Sequence, residues 1–271
     1  MRSQTMIAKL IDASNTDAKY DSQSISMNKQ EAIKAFKTYV ANYDSQNVSI
    51  ALKISHTFRV AAIAEKISPS SCNSEFAWFL GLLHDIGRFE QIARYGTFKD
   101  ALSIDHAELG ADILFRDGLI KKFPPVPDKW LLIAEAAIRS HNKLRLPTAL
   151  NQETKTYCNI LRDADKLDIF RVLTEPPYDR RELHNLTVRS EVMQCINEHR
   201  CVPRPEQDEA AFNELEALIS QICMAFELVY PESRRIAAEQ GYLKKLLLML
   251  PGENPESAEV VREIDKSLEV L

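Results

Sequence analysis

Glycine is scarce in this chain, with seven in 271 residues, and nothing resembles a glycine-rich phosphate loop. Long apolar runs are also missing: no stretch approaches the roughly 18 apolar residues that would suggest a membrane span. Lys9 and Asp12 interrupt the early apolar residues, so no signal peptide is expected. Cysteine is sparse and irregular. Cys72, Cys158, Cys195, Cys201 and Cys223 are odd in number and form no CxxC pair, which argues against a disulfide framework or a cysteine metal site and for a reducing cytoplasm. A basic excess is absent too. The net charge of −5 argues against a coat for a nucleic-acid duplex or a polybasic membrane binder. Few glycines, 27% charged residues and abundant Ala, Leu, Glu and Lys favour an all-α protein over a sandwich or barrel. No internal repeat is found.

What is present is an ordered series: His56, the pair His84-Asp85, His106, His141 and Asp165. Four of the six histidines belong to it. Imidazole nitrogen and carboxylate oxygen together suit divalent iron, manganese, cobalt, nickel or zinc, and the number of ligands is enough for two ions. Successive members lie roughly 20 to 35 residues apart, room for one helix and its connections at each step. Each ligand then falls on a different helix, unlike the close pairs of a zinc finger or a zincin. A single histidine on an apolar helix is more often a hydrogen-bonded core residue; the order of the whole set carries the ligand reading.

Apolar periodicity supplies the helices. Residues 1–28 are polar and read as a loose leader. Asn28 is a suitable N-cap for a first helix through Ala32, Phe36 and Val40. A second, about Val48 to Ile67, carries His56 and closes at Ser68-Pro69. A third runs from Ser74 to His84-Asp85, with Gly87 read as its stop and a polar loop after it. Asp105 can cap a helix holding His106 and ending at Gly118. The helix from Asp128 to about Asn142 delivers His141, and one from about Asn151 to Leu173 delivers Asp165. Segments 207–229 and 234–249 read as amphipathic helices and 256–271 as a charged one, supplying packing or homodimer surface. The expected organisation is a leader (1–28), a metal-binding helical core (29–175) and a C-terminal helical extension packing on the core (176–271).

In His56-Thr57-Phe58-Arg59-Val60, Gly81-Leu82-Leu83-His84-Asp85-Ile86-Gly87-Arg88, Asp105-His106-Ala107-Glu108-Leu109-Gly110, Arg139-Ser140-His141-Asn142-Lys143 and Arg162-Asp163-Ala164-Asp165-Lys166-Leu167-Asp168, the chain resembles the HD superfamily of metal-dependent phosphohydrolases. The resemblance covers roughly residues 29–173 and implies an HD-type helical bundle. The two extra histidines are similar to those of its six-ligand, two-metal branch, which contains HD-GYP type cyclic-dinucleotide phosphodiesterases and mixed-valent di-iron oxygenases. It implies that His56, His84, Asp85 and Asp165 hold a first ion, and that Asp85 bridges to a second held by His106 and His141. A hydroxide between the ions would be the nucleophile.

A net positive centre of this kind implies a small anionic phosphorylated substrate, a nucleotide among the candidates. Arg88, three residues past Asp85, leads as the cation for a phosphoryl oxygen, with an ion pair to Glu90 or a contact with a helix terminus as its plain structural alternative. Arg94, Lys99, Lys143 and Arg139 are further phosphate candidates, although surface cations are solvated by default. Tyr95 or Phe98 could stack a base, or cover core. Asp163 and Asp168 read as caps or salt-bridge partners of Arg162 and Lys166, and His184 and His199 as surface or packing residues. The family's 5'-deoxynucleotidases carry an acidic residue where Arg88 stands, which argues against simple nucleoside-monophosphate hydrolysis. The HD-GYP type has Lys there, but Asn142-Lys143-Leu144-Arg145-Leu146-Pro147 contains no GYP segment. Two other activities fit the same ligands: a di-iron oxygenase acting on a polyol or phosphonate, and a non-catalytic nucleotide sensor.

Overall fold

Asx side chains start several of the helices of the first unit. In the computed structural model, which describes residues 26–175, 183, 186–203 and 212–269, Asn28 accepts from the Glu31 N–H and opens α1 (Lys29–Val40). Asn47 does the same for α2 (Val48–Ile67), accepting from Ser49, and Asn73 for α3 (Ser74–Leu83), accepting from Phe76. Each cap satisfies an amide that the helix leaves without an internal partner. After His84 and Asp85 the chain re-enters helix as α4 (Ile86–Tyr95). Asp105 accepts from the Ala107 and Glu108 N–H groups and opens α5 (His106–Ala111), which continues as one π-helical turn over Asp112–Arg116. Then come α6 (Asp128–Ser140) and α7 (Gln152–Val172). Among the described residues there is no strand, so the chain is all-α, and no helix is long and apolar enough to cross a membrane.

The expected stop at Gly87 and the polar loop after it are corrected by α4. A Cβ at Gly87 would come 2.2 Å from the His106 carbonyl oxygen and 2.6 Å from the Gly110 nitrogen. This glycine therefore permits close backbone approach between α4 and α5 inside a helix, and the actual stop is Gly96, left-handed at φ 66°.

The chain divides into two compact units, 1–164 and 165–271, the division falling within α7. In the first, α3 is the central helix: Phe76 through Leu83 are all buried, as expected of a helix apolar around its circumference. Phe76 meets Trp130 of α6 and Tyr157 of α7 edge-on, with ring centroids 4.6 and 5.1 Å apart. α2 crosses α3 at very short range, since a Cβ on Gly81 would lie 2.5 Å from the Ala61 Cα. Met27 is buried and its N–H donates to Glu75 Oε2. The leader residues 1–25 lie outside the described residues.

The second unit contains α8 (Ser190–Asn197), α9 (Glu214–Ile222), a 3-10 turn (Cys223–Glu227), α10 (Pro231–Gln240), α11 (Tyr242–Leu247) and α12 (Pro255–Glu269). Asn213 and Glu216 form a reciprocal capping box at the start of α9. The helices expected over 207–229 and 234–249 are each interrupted. The first begins at Glu214 and tightens to 3-10 at Cys223, with 204–211 outside the described residues; the second breaks at Gly241, which is left-handed at φ 66°. His199 packs as expected, stacked on Phe226 and bonded to Glu263. His184 lies outside the described residues.

Candidate metal centre

Five of the six expected ligands gather at the end of the central helix. His56 lies inside α2, His84 follows the last turn of α3, Asp85 precedes α4, His106 opens α5 and His141 follows α6. All five are buried. They form two overlapping groups, His56 with His84 and Asp85, and Asp85 with His106 and His141, whose donor atoms lie within 4.8 Å of one another in each group. The sixth, Asp165, is a partly buried residue of α7 on the second unit's side of the division.

Hydrogen bonds fix the rings. His84 Nδ1 lies 2.7 Å from the Gly81 carbonyl and His141 Nδ1 2.7 Å from the Ile138 carbonyl. His106 Nδ1 lies 2.7 Å from Asp100 Oδ2. These partners only accept, so each of the three Nδ1 atoms carries the proton and each Nε2 keeps its lone pair. The Nε2 atoms of His106 and His141 then face each other at 3.0 Å, two acceptors with no proton to share. Those of His56 and His84 are 3.3 Å apart. Both separations match a coordination edge of roughly 3.0 to 3.4 Å, the spacing of two imidazole nitrogens on one ion at metal–nitrogen distances near 2.0 to 2.1 Å. The donor set and its spacing fit transition-metal ions.

The carboxylate divides between the pairs. Asp85 Oδ2 is 3.3 Å from His84 Nε2 and 3.5 Å from His56 Nε2. Oδ1 is 3.6 Å from His106 Nε2 and 3.8 Å from His141 Nε2. Burial would push the Asp85 carboxyl up, but the Lys53 ammonium beside it holds it well below the usual carboxylate range. Burial also moves His106, from its usual 6.5 down to about 4, against the opposing pull of Asp100. At neutral pH the chain thus presents a carboxylate and a neutral imidazole, the forms that ligate metal.

The HD-domain family model matches residues 54–169, a stretch that contains the whole His and Asp series. Residues 54–169 are an HD domain. No curated protein and no solved structure matches the chain. HD domains are mostly metal-dependent hydrolases, and the clustered ligands of this one could hold metal ions.

Around the HD-domain centre the expected phosphate candidates separate. Arg88 stands beside it, its Nε 3.8 Å from Asp85 Oδ1, while its Nη1 donates to Asp100, Gln91 and the Phe98 carbonyl. Its carboxylate partner is Asp100 rather than Glu90, which takes Arg94 at 2.5 Å and the Tyr43 hydroxyl at 2.8 Å. Arg139 is held by Glu108, Asp112 and Glu135, and Lys143 by Asp105. Lys99 is exposed, as is Tyr95, while Phe98 is half-buried. Lys166, within the second unit, donates to the Glu227 carbonyl.

Two residues of the centre escape a search for ligand types. Lys53 places its Nζ 2.5 Å from Asp85 Oδ2. The one signal for it in the sequence is its place on the His56 face of α2, three residues earlier. Asp100, at the start of a short 3-10 turn (Asp100–Leu102) before α5, orients His106 and grips Arg88; no spacing rule reaches it.

Proposed function

We propose that this chain is a metal-dependent phosphohydrolase in which two divalent ions serve the cleavage of a phosphoester. The observation that carries the reading is the division of Asp85, one oxygen towards His56 and His84 and the other towards His106 and His141. Asp85 would join the two ions. Ions held there supply Lewis acidity and a water acidic enough to attack near neutral pH.

The chain's own residues do the rest. Buried helix ends keep the histidine rings in fixed orientation, so no ligand has to be recruited from a mobile side chain. Arg88 Nε is buried and has no hydrogen-bond partner, which leaves one N–H of the guanidinium for a phosphoryl oxygen beside Asp85. Negative charge that builds on such an oxygen is stabilised by a cation already held in place by Asp100. Arg94, Arg139 and Lys143 are occupied by carboxylates and rank behind Arg88 as substrate contacts.

The test is elemental analysis of the purified protein followed by a phosphoester panel with and without oxygen. The expected result is more than one transition-metal ion per chain and phosphoester cleavage that is indifferent to oxygen. Oxygen consumption with activity lost anaerobically would replace the hydrolase by an oxygenase. Tight nucleotide binding without turnover of any phosphoester would replace it by a sensor.

A further inference from the structure

We propose that Lys53 is a substrate-binding residue which, together with Arg88, clamps the phosphoryl group from both sides of Asp85 and selects a phosphoryl dianion, the group of a phosphomonoester. The proposal rests on the hydrolase reading above. Lys53 lies one helical turn before His56 on α2, so the two share a face. Its Nζ sits 2.5 Å from Asp85 Oδ2, and its side chain is 14% exposed. This oxygen is also the one that faces His56 and His84. A carboxylate oxygen that gives its charge to a divalent ion has little left for an ammonium group. Among the described residues Lys53 has no other carboxylate partner.

Arg88 differs, because Asp100 pairs with its Nη1 at 2.9 Å whatever happens at Asp85. Both cations nevertheless lie against the same ring: Lys53 Nζ is 5.5 Å and Arg88 Cζ 5.6 Å from the Phe98 centroid. Phe98 therefore holds them as one wall, with the ammonium at Asp85 Oδ2 and the unpartnered Arg88 Nε 3.8 Å from Oδ1. An anion bound over Asp85 meets a charged donor at each end. A phosphomonoester carries close to two negative charges at neutral pH and a diester carries one, so the second cation is matched by the second charge.

Isothermal titration calorimetry on manganese-loaded protein near neutral pH, with inorganic phosphate as probe, tests this. The samples are wild type, Lys53→Met, Lys53→Gln and Lys53→Arg, with manganese content measured for each. Loss of a charged hydrogen bond predicts phosphate binding weakened about ten-fold or more in the Met and Gln variants, most of it retained in Lys53→Arg, and manganese unchanged. Dimethyl phosphate, a monoanion, should bind wild type more weakly than phosphate and lose little in Lys53→Met. Phosphate binding within about two-fold of wild type in both neutral variants overturns the clamp. Manganese loss in those variants also overturns it, making Lys53 a support for Asp85. Equal loss of both probes removes the monoester preference. Wild type that holds manganese but binds no phosphate sinks the hydrolase reading itself, a result distinct from failure of Lys53 alone.

Discussion

A histidine at position 85 could offer one lone pair to one ion, whereas the Asp85 carboxylate turns an oxygen towards each histidine pair. Replacing it therefore differs in kind from replacing any of its neighbours. Asp85→Ala is expected to abolish binding of both ions, and His141→Ala mainly one, when metal stoichiometry is followed by chelator competition and elemental analysis. Equal loss from the two variants would contradict the bridge. Asp100→Ala keeps every ligand but removes the acceptor for His106 Nδ1, and should weaken the second ion by about 10- to 100-fold. At this scale the sequence was legible where chemistry is confined to a few residue types. His56, His84, Asp85, His106 and His141 are conspicuous because histidine is rare here, while Lys53 and Asp100 belong to abundant types whose meaning depends on which atoms face them.

Helix contacts set the distances between ligands. α2 carries His56 and α3 ends at His84, and the two helices meet where Gly81 touches the Ala61 backbone. Backbone atoms cannot turn aside as a flexible side chain can. Gly81→Ala should cost about 1–3 kcal/mol of stability through overpacking, read in urea unfolding of the metal-free protein. It should also reduce metal occupancy although no ligand is altered; full stability and full occupancy together would show that the crossing can relax. Periodicity made α1, α2, α3, α6 and α7 readable from the chain, and the caps Asn28 and Asp105 marked the starts of α1 and α5. α4 was missed because Gly87 has two physical uses, ending a helix or letting another backbone close, and the residues next to it do not distinguish them. The deciding partner is Gly110 on α5, far along the sequence.

For the molecule as a whole, a buried neutral imidazole ties folding to pH. His106 takes up a proton near its usual 6.5 when unfolded and only near 4 when folded, so below about pH 6.5 the unfolded chain binds more protons. Stability is then fully present above pH 6.5 and falls as pH drops towards 4, by an amount on the order of 3 kcal/mol for the size of this shift. Chemical unfolding of metal-free protein at a series of pH values checks the sign; a His106→Asn variant should lose most of the slope across that window. If wild type and variant keep the same slope, His106 is not the group responsible. The all-α class and the helical core were legible because their signals repeat along the chain, whereas the proton linkage arises only once α5, α6 and the Asp100 turn are packed.

The carbonyl tethers on His84 and His141 have a consequence for how quickly a metal can be taken up. Their Nδ1 atoms are bonded to Gly81 and Ile138 in the final turns of α3 and α6, so protein rather than ion sets the angle of each ring. Capture then requires little reorganisation of these two rings. The entropy of ordering them is already spent in folding, and the rate of loading falls to how fast an ion sheds its own hydration shell.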